Sequence, residues 1–179
     1  YSCELTRAVA AEHLDHPLRL AGLSALAAVT EAALPEREPH AALFGHFARL
    51  IDDLTIVNWV RDYVAFEMEL LTEMGFGLDL SACAATGETD DLIYVSPKSG
   101  RAVSRAGGAP YKEKLLPLPG FLAWAWADTT PEPGDVMDGL LLTGYFLERH
   151  VFIHRRSGAP AARQRFIDRL AKSDTISRR

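Results

Sequence analysis

The clearest candidate for metal chemistry in this sequence is Cys83, which follows a helical run and precedes a hairpin-like segment at residues 92–105. A helix that leads into a cysteine and then a short β-ribbon is the layout of a small zinc module. A structural zinc site needs four ligands, however, and Thr86 occupies the position of the second cysteine of a C-x-x-C pair. We therefore expect a degenerate zinc-finger-like ribbon at residues 78–112, with no metal and no cofactor.

His150 and His154 are a second candidate pair, because a spacing of four residues places both on one side of a helix. The pair lacks the glutamate of an H-E-x-x-H motif, so we interpret it as a surface or DNA-facing pair. The sequence has neither a G-x-S-x-G elbow nor a phosphate-binding glycine loop. The adjacent Asp52 and Asp53 would not face each other on a helix. These patterns predict no enzyme activity and no catalytic residues.

Positive charge is concentrated at the C-terminal end of the chain. Residues 149–179 hold nine Lys and Arg against two Asp and so carry +7, whereas residues 1–148 carry −12 of a total of −5. A basic end on an acidic body predicts an anionic partner at that end. The alternative is a solvated helix face followed by a basic tail.

Cations on the ribbon and around the last helix are the candidate phosphate contacts. Arg101 and Arg105 are four residues apart, so both would project from one face of an alternating strand. Such positions suit contacts to phosphates without reading of bases. The predicted DNA-binding residues are Lys98, Arg101, Arg105, Lys112, Lys114, Arg155, Arg156, Arg163 and Arg165.

Hydrophobic periodicity predicts a mainly α fold, a helical bundle of about six helices with one small embedded β-ribbon. Apolar residues make up 48% of the chain, which is ample for a core. No run of 18 uncharged apolar residues exists, so we expect no membrane span. The predicted helices cover residues 18–34, 39–57, 58–74, 121–127, 135–155 and 161–172.

Five segments of the chain occur in an informative order: PEREPHAALF, FEMELLTEMGFGLDLSACAATGETDDLIYVSPKSGRAVSR, LLPLPGFL, LLTGYFLERHV and GAPAARQRFIDRL. Together they resemble RecO, a family of bacterial recombination mediators. The resemblance implies that residues 1–14 are the end of an OB-fold domain and that residues 15–179 form the helical C-terminal domain. Many members carry two C-x-x-C pairs at the ribbon. With Cys83 alone, this ribbon must be held by packing, for which the candidates are Leu78, Leu80, Ile93, Tyr94 and Val95.

The resemblance also implies a function, that of a non-enzymatic, cytoplasmic mediator of DNA repair and homologous recombination. Such proteins bind single- and double-stranded DNA, anneal strands, and with RecR help to load RecA onto strands coated by SSB. The alternative is an interaction scaffold that docks SSB or RecR and leaves DNA to the OB domain.

Some members of the family bind the acidic, Phe-ending tail of SSB in an apolar groove of the helical domain. Here we expect that groove between the Phe66–Met74 helix and the Val136–Phe152 helix. The alternative is that these side chains simply complete the core of the bundle. The predicted groove residues are Phe66, Leu70, Met74, Leu140 and Arg149.

Overall fold

A computed structural model of the chain describes residues 7–54, 58–123 and 133–177. In these ranges the fold is mainly helical, with one small antiparallel sheet, which confirms the predicted class. The helices are α1 (Pro17–Ala33), α2 (Ala41–Asp52), α3 (Trp59–Glu73), the short α4 (Arg105–Gly108), α5 (Pro133–Phe146) and α6 (Ala161–Ser177). The strands are β1 (Leu92–Val95), β2 (Ala102–Ser104) and β3 (Leu116–Pro117).

The bundle core lies where α1 packs on α6 and α3 packs on both α2 and α5. An aromatic cluster fills its centre: the ring of Trp59 stacks on Tyr63 at a centroid distance of 5.5 Å, and both rings meet the edge of Phe166. The indole N–H of Trp59 donates to the Leu50 carbonyl at 2.8 Å, which fixes the ring beside α2. Gly22 of α1 lies against this ring, and a Cβ there would be 2.6 Å from it. Close approach of α1 to the cluster therefore requires glycine.

The sheet has the strand order β2-β1-β3, with both neighbours antiparallel to β1. The predicted hairpin of β1 and β2 is present, and Val95 pairs with Ala102 across it. Gly100 closes the turn with a φ of +67°, a conformation that favours glycine. The third strand was not predicted, because it is two residues long and contains Pro117.

The predicted 135–155 helix is too long. α5 ends at Phe146 and passes into a π-helical turn over Leu147–Val151. The Phe152 N–H bonds to the Leu147 carbonyl at 2.8 Å, which is the i to i−5 spacing of that turn. The extra residue per turn redirects the side chains after Leu147, so the periodicity of a straight helix no longer applies there.

Two other predicted segments agree with the structure only in part. The described part of the 121–127 segment is a 3-10 turn, Gly120–Leu122, and residues 124–127 lie outside the described residues. The 39–57 helix ends at Asp52, and residues 55–57 also lie outside them. The assignment of residues 1–14 to an OB-fold domain stays a prediction, since residues 1–6 are not described and Ala11–His13 form a 3-10 turn.

Candidate nucleic-acid interface

The buried thiol of Cys83 fixes the base of the ribbon. Its sulfur accepts hydrogen bonds from the Ser104 N–H at 3.2 Å and from the Ser104 hydroxyl at 3.3 Å. Burial raises the pKa of the Cys83 thiol, but hydrogen bonds from Ser104, Thr86 and the Ala85 N–H outweigh it and lower the pKa to about 6. The sulfur of Cys83 is thus held by hydrogen bonds within the protein.

No group of three or more His, Cys, Asp and Glu is close enough to hold a metal ion in the described ranges. Three of the five residues predicted to hold the ribbon by packing do so: Val95 is fully buried, and Leu78 and Leu80 pack against the core. The other two, Ile93 and Tyr94, are half-buried.

Arg101 and Arg105 are both exposed and both form ion pairs. Arg101 pairs with Asp79 at 3.2 Å, and Arg105 pairs with Asp91 at 3.0 Å. They do not share one face of a strand, contrary to the prediction, because β2 covers only Ala102–Ser104 and Arg105 begins α4. Their carboxylate partners compete with phosphate, although exposed pairs of this kind are weak.

The lysines of the ribbon region lie at two places. Lys98 is exposed on the turn between β1 and β2. Lys112 and Lys114 are exposed on the 3-10 segment Ala109–Lys114, on either side of Glu113 and next to Tyr111, whose side chain is also exposed. Cations beside an exposed ring suit contacts to nucleic acid.

Arg155 and Arg156 are exposed in the segment that joins the π-helical turn to α6. The guanidinium of Arg155 lies 6.0 Å from the centre of the Phe152 ring, within the range of a cation–π contact. Arg165 is exposed on α6, where it borders a shallow groove against α1 together with Arg169.

Arg163, in contrast, lies inside the bundle with 6% of its surface exposed. It donates to both carboxylate oxygens of Glu67, at 2.7 and 2.8 Å, and to the Leu140 carbonyl at 2.6 Å. Burial alone would lower its pKa, but the charge and hydrogen bonds of Glu67 raise that pKa above the usual range. The prediction that Arg163 contacts DNA is therefore wrong: its donors are used inside the protein.

The pattern of α6 contains the signal that places Arg163 in the core. Phe166 and Leu170 are buried three and seven residues later, on the same side of the helix. Arg165, two residues after Arg163, lies on another face of the helix and is exposed. The prediction counted all the arginines of this segment as surface residues, because it did not consider which face of α6 is buried. It therefore included the structural residue Arg163.

The predicted groove between α3 and α5 is closed. Phe66, Leu70 and Leu140 are all fully buried. The helices lie so close that a Cβ on Gly139 would be 3.0 Å from a methyl group of Val64. These side chains complete the core, which was the alternative interpretation, and they leave no space for the Phe of a peptide.

The two other predicted groove residues lie away from this contact. Met74 is half-buried at the end of α3, where it packs against the core. Arg149 is exposed on the π-helical turn and donates to the Tyr145 hydroxyl at 3.5 Å.

An open groove of about 980 Å³ lies elsewhere, between the ribbon and the 3-10 turn that follows β3. Apolar side chains form its floor, whereas Asp79, Asp90, Asp91 and Arg105 line it with charge. Sequence reasoning missed it, because the groove depends on the ribbon packing across segments that are distant in the chain. The apolar lining residues include Leu78, Leu80, Leu92, Ile93, Leu118 and Leu122.

Residues 14–159 match the family described as "Recombination protein O C terminal". The chain belongs to this RecO family. The match covers the ribbon, all the helices before α6 and the cations of the ribbon region.

Curated relatives agree with this assignment to RecO. The DNA repair protein RecO of Rhodospirillum centenum is 53% identical over 176 residues, which cover 97% of this chain and 69% of the relative. RecO of Caulobacter sp. strain K31 is 52% identical over 163 residues, which cover 90% of this chain and 66% of the relative. RecO of Rhodospirillum rubrum is 46% identical over 181 residues, which cover 98% of this chain and 71% of the relative. The chain spans about two thirds of the length of these relatives, and no solved structure matches it.

In this RecO domain the predicted cations therefore fall into three groups. Arg163 is structural, whereas Arg101 and Arg105 are exposed but paired. The rest of the predicted set is exposed and has no carboxylate within 4.0 Å in the part of the chain that the structure describes: Lys98, Lys112, Lys114, Arg155, Arg156 and Arg165.

Proposed function

We propose that this domain binds the phosphates of DNA, without reading base sequence, and that it does so as part of a DNA repair protein of the RecO type. The observation that carries the proposal is that six cations are exposed and have no carboxylate within 4.0 Å among the described residues, namely Lys98, Lys112, Lys114, Arg155, Arg156 and Arg165. A Lys or Arg free of a carboxylate can neutralise a phosphate and release its counterion without first breaking an ion pair. The name of the relatives, DNA repair protein RecO, supports the same role.

For the whole protein, we propose the mediator activity of the family. It binds single- and double-stranded DNA, anneals strands, and acts with RecR and SSB during recombination in the cytoplasm, without catalytic turnover. Its OB-fold domain would contribute to DNA binding beside the domain described above.

A salt titration of DNA binding tests the proposal. The logarithm of the association constant for duplex DNA should fall linearly with the logarithm of salt concentration, with a slope of about −0.9 per neutralised phosphate. The double variant Arg155→Glu/Arg156→Glu should weaken binding to unrelated sequences equally. It should also make the slope less steep, by the equivalent of about two phosphate contacts. Anisotropy of labelled duplexes measures both.

Arg101→Glu/Arg105→Glu is the matched control, because it makes the same change of charge at two cations that are already paired. It should have the smaller effect. Binding that is unchanged by Arg155→Glu/Arg156→Glu would assign DNA contact to another part of the protein and would favour the scaffold alternative.

The open groove at the ribbon supports a second function, docking of a protein partner such as RecR or SSB. Its apolar floor suits a large side chain of a partner segment. The acidic tail of SSB would meet three carboxylates there, from Asp79, Asp90 and Asp91, against one lining cation, Arg105. The charge of the rim therefore favours an apolar segment with basic rather than acidic flanks.

Titration of labelled SSB-tail peptides, with and without the last Phe, tests that function beside titration of RecR. We expect Leu80→Glu to weaken RecR binding and both tail peptides to bind equally poorly. Tight, Phe-dependent binding of the tail that Leu80→Glu abolishes would make SSB the partner at this groove. Partner binding that Leu80→Glu leaves unchanged would remove the groove from the interface.

A further inference from the structure

Phe76 is held in a fixed position directly after α3. The Gly75 N–H bonds to the Thr72 carbonyl at 3.0 Å, and the Phe76 N–H bonds to the Leu71 carbonyl at 2.8 Å. With Gly75 at a φ of +83°, this is a Schellman motif, which ends a helix and orients the residue that follows the glycine. The Phe76 side chain nevertheless remains 40% exposed.

The ring of Phe76 forms the outer end of an aromatic stack. It stacks on His150 at a centroid distance of 4.8 Å and an interplanar angle of 17°. His150 in turn lies nearly parallel to Phe146, at 6.1 Å and 10°. Phe146 is buried, so the stack runs from the core to the surface and ends in a partly exposed ring.

Two exposed cations lie on segments that form the stack or adjoin it. The turn between β1 and β2 abuts its inner end, since the Cβ position of Gly100 is 3.7 Å from Cε1 of Phe146. Lys98, exposed and without a carboxylate within 4.0 Å among the described residues, lies two residues from that contact. Arg149 is exposed and directly precedes His150.

We propose that Phe76 is a stacking platform for an unpaired nucleobase of single-stranded DNA, with Lys98 and Arg149 placed to contact the flanking phosphates. The inference rests on the proposed function, because it assigns a subsite to the DNA-binding surface. A base can extend an existing stack of rings whatever its identity, since every base has a π-face. A ring that His150 already holds in place loses little conformational freedom when the base binds.

The subsite discriminates between single strands and duplexes. Bases in a duplex are stacked on each other, so they cannot extend the stack without unpairing. Phosphate contacts, in contrast, are available in both forms of DNA. Loss of Phe76 should therefore lower affinity for single strands alone, whereas loss of Arg155 and Arg156 should lower both.

The test compares Phe76→Leu with Phe76→Tyr in the full chain. Leu keeps the apolar contact that accompanies the Schellman motif but removes the ring, and Tyr keeps the ring. With an oligo(dT) and a duplex of equal length, we expect Phe76→Leu to weaken single-strand binding about tenfold, to leave duplex binding unchanged, and Phe76→Tyr to match the parent chain. The fluorescence of a 2-aminopurine base in the oligonucleotide should be quenched when the parent chain binds, because the base stacks on the ring. Phe76→Leu should abolish that quenching.

Equal binding of the oligo(dT) by the parent chain and Phe76→Leu would overturn the platform. The platform would also be overturned if Phe76→Leu lost affinity equally for the oligo(dT) and the duplex and unfolded at a lower urea concentration. Those results would leave Phe76 only its role in ending α3. Arg155→Glu/Arg156→Glu separates the two proposals. If it weakens binding to both DNAs while Phe76→Leu changes neither affinity, the DNA-binding function is supported and the platform is rejected. A parent chain that binds neither DNA would overturn both.

Discussion

Arg163 of α6 and Glu67 of α3 form a bidentate ion pair in the interior of the bundle, with N–O distances of 2.7 and 2.8 Å. The hydroxyl of Thr143 on α5 donates to the same carboxylate. This polar network thus joins three helices, since Arg163 also donates to the Leu140 carbonyl of α5. A buried charge pair is costly to desolvate, so it fixes which faces of the helices meet more than it adds net stability.

Removal of Arg163 should destabilise the fold and leave the DNA-binding surface unchanged. Arg163→Met leaves the Glu67 carboxylate buried without its partner, which typically costs about 3–5 kcal/mol. The double variant Arg163→Met/Glu67→Met removes both charges and should recover much of that loss. Urea denaturation measures the free energies of unfolding, and Arg165→Met, an exposed change on the same helix, is the control.

Arg165→Met should stay within about 0.5 kcal/mol of the parent chain. A stable Arg163→Met with reduced DNA affinity would contradict the structural role and would return Arg163 to the binding surface.

Gly22 and Gly45 should respond oppositely to alanine. Both lie within helices, where Ala is favoured over Gly by about 1 kcal/mol. At Gly45 the new Cβ would lie 3.7 Å from the side chain of Arg49, an ordinary contact, so Gly45→Ala should raise stability. At Gly22 it would lie 2.6 Å from the Trp59 ring, so Gly22→Ala should lower stability by about 1–3 kcal/mol through overpacking. Thermal unfolding of both variants decides; a stabilised Gly22→Ala would show that α1 can move away from the ring.

The helical bundle could be predicted from the sequence, because its apolar periodicity is set locally. α1 and α3 lie within one residue of the predicted ends, and Pro17 and Gly75 mark where each begins or ends. The end of α5 could not be predicted, since the residues of the π-helical turn continue the apolar pattern of a helix. What ends α5 is the change of hydrogen bonding at Phe152.

The site was less predictable than the fold, because charge was counted without its partners. Asp79 and Asp91 are 22 and 14 residues from the arginines they neutralise, and only the folded ribbon brings each pair together. The same holds for Phe76 and His150, which are 74 residues apart in sequence and stacked in the structure. Contacts of this kind depend on tertiary packing, which periodicity and composition do not encode.

Release of the ribbon arginines should strengthen DNA binding. Asp79→Asn/Asp91→Asn removes the carboxylates that pair with Arg101 and Arg105, so both guanidinium groups become free for phosphate. Affinity for duplex DNA should rise several-fold at low salt, and the gain should shrink as salt screens the surface. Asp53→Asn/Glu38→Gln, which removes two exposed carboxylates that pair with neither arginine, controls for net charge. Equal gains in both variants would show that overall charge, rather than the freed arginines, sets the affinity.

The thiol of Cys83 should make stability depend on pH. Its pKa is about 6 in the folded chain, against an ordinary value of 9.0 when unfolded. Between these values the unfolded state binds one more proton, so the free energy of unfolding should rise with pH, by at most about 1.4 kcal/mol per unit, and the gain should be lost as pH falls through 6. Cys83→Ser keeps a small polar side chain that does not titrate, so the difference between the two chains in urea denaturation isolates the thiol from the histidines. If the free energies of unfolding of the parent chain and of Cys83→Ser change with pH in the same way, Cys83 remains protonated and Ser104 does not stabilise a thiolate.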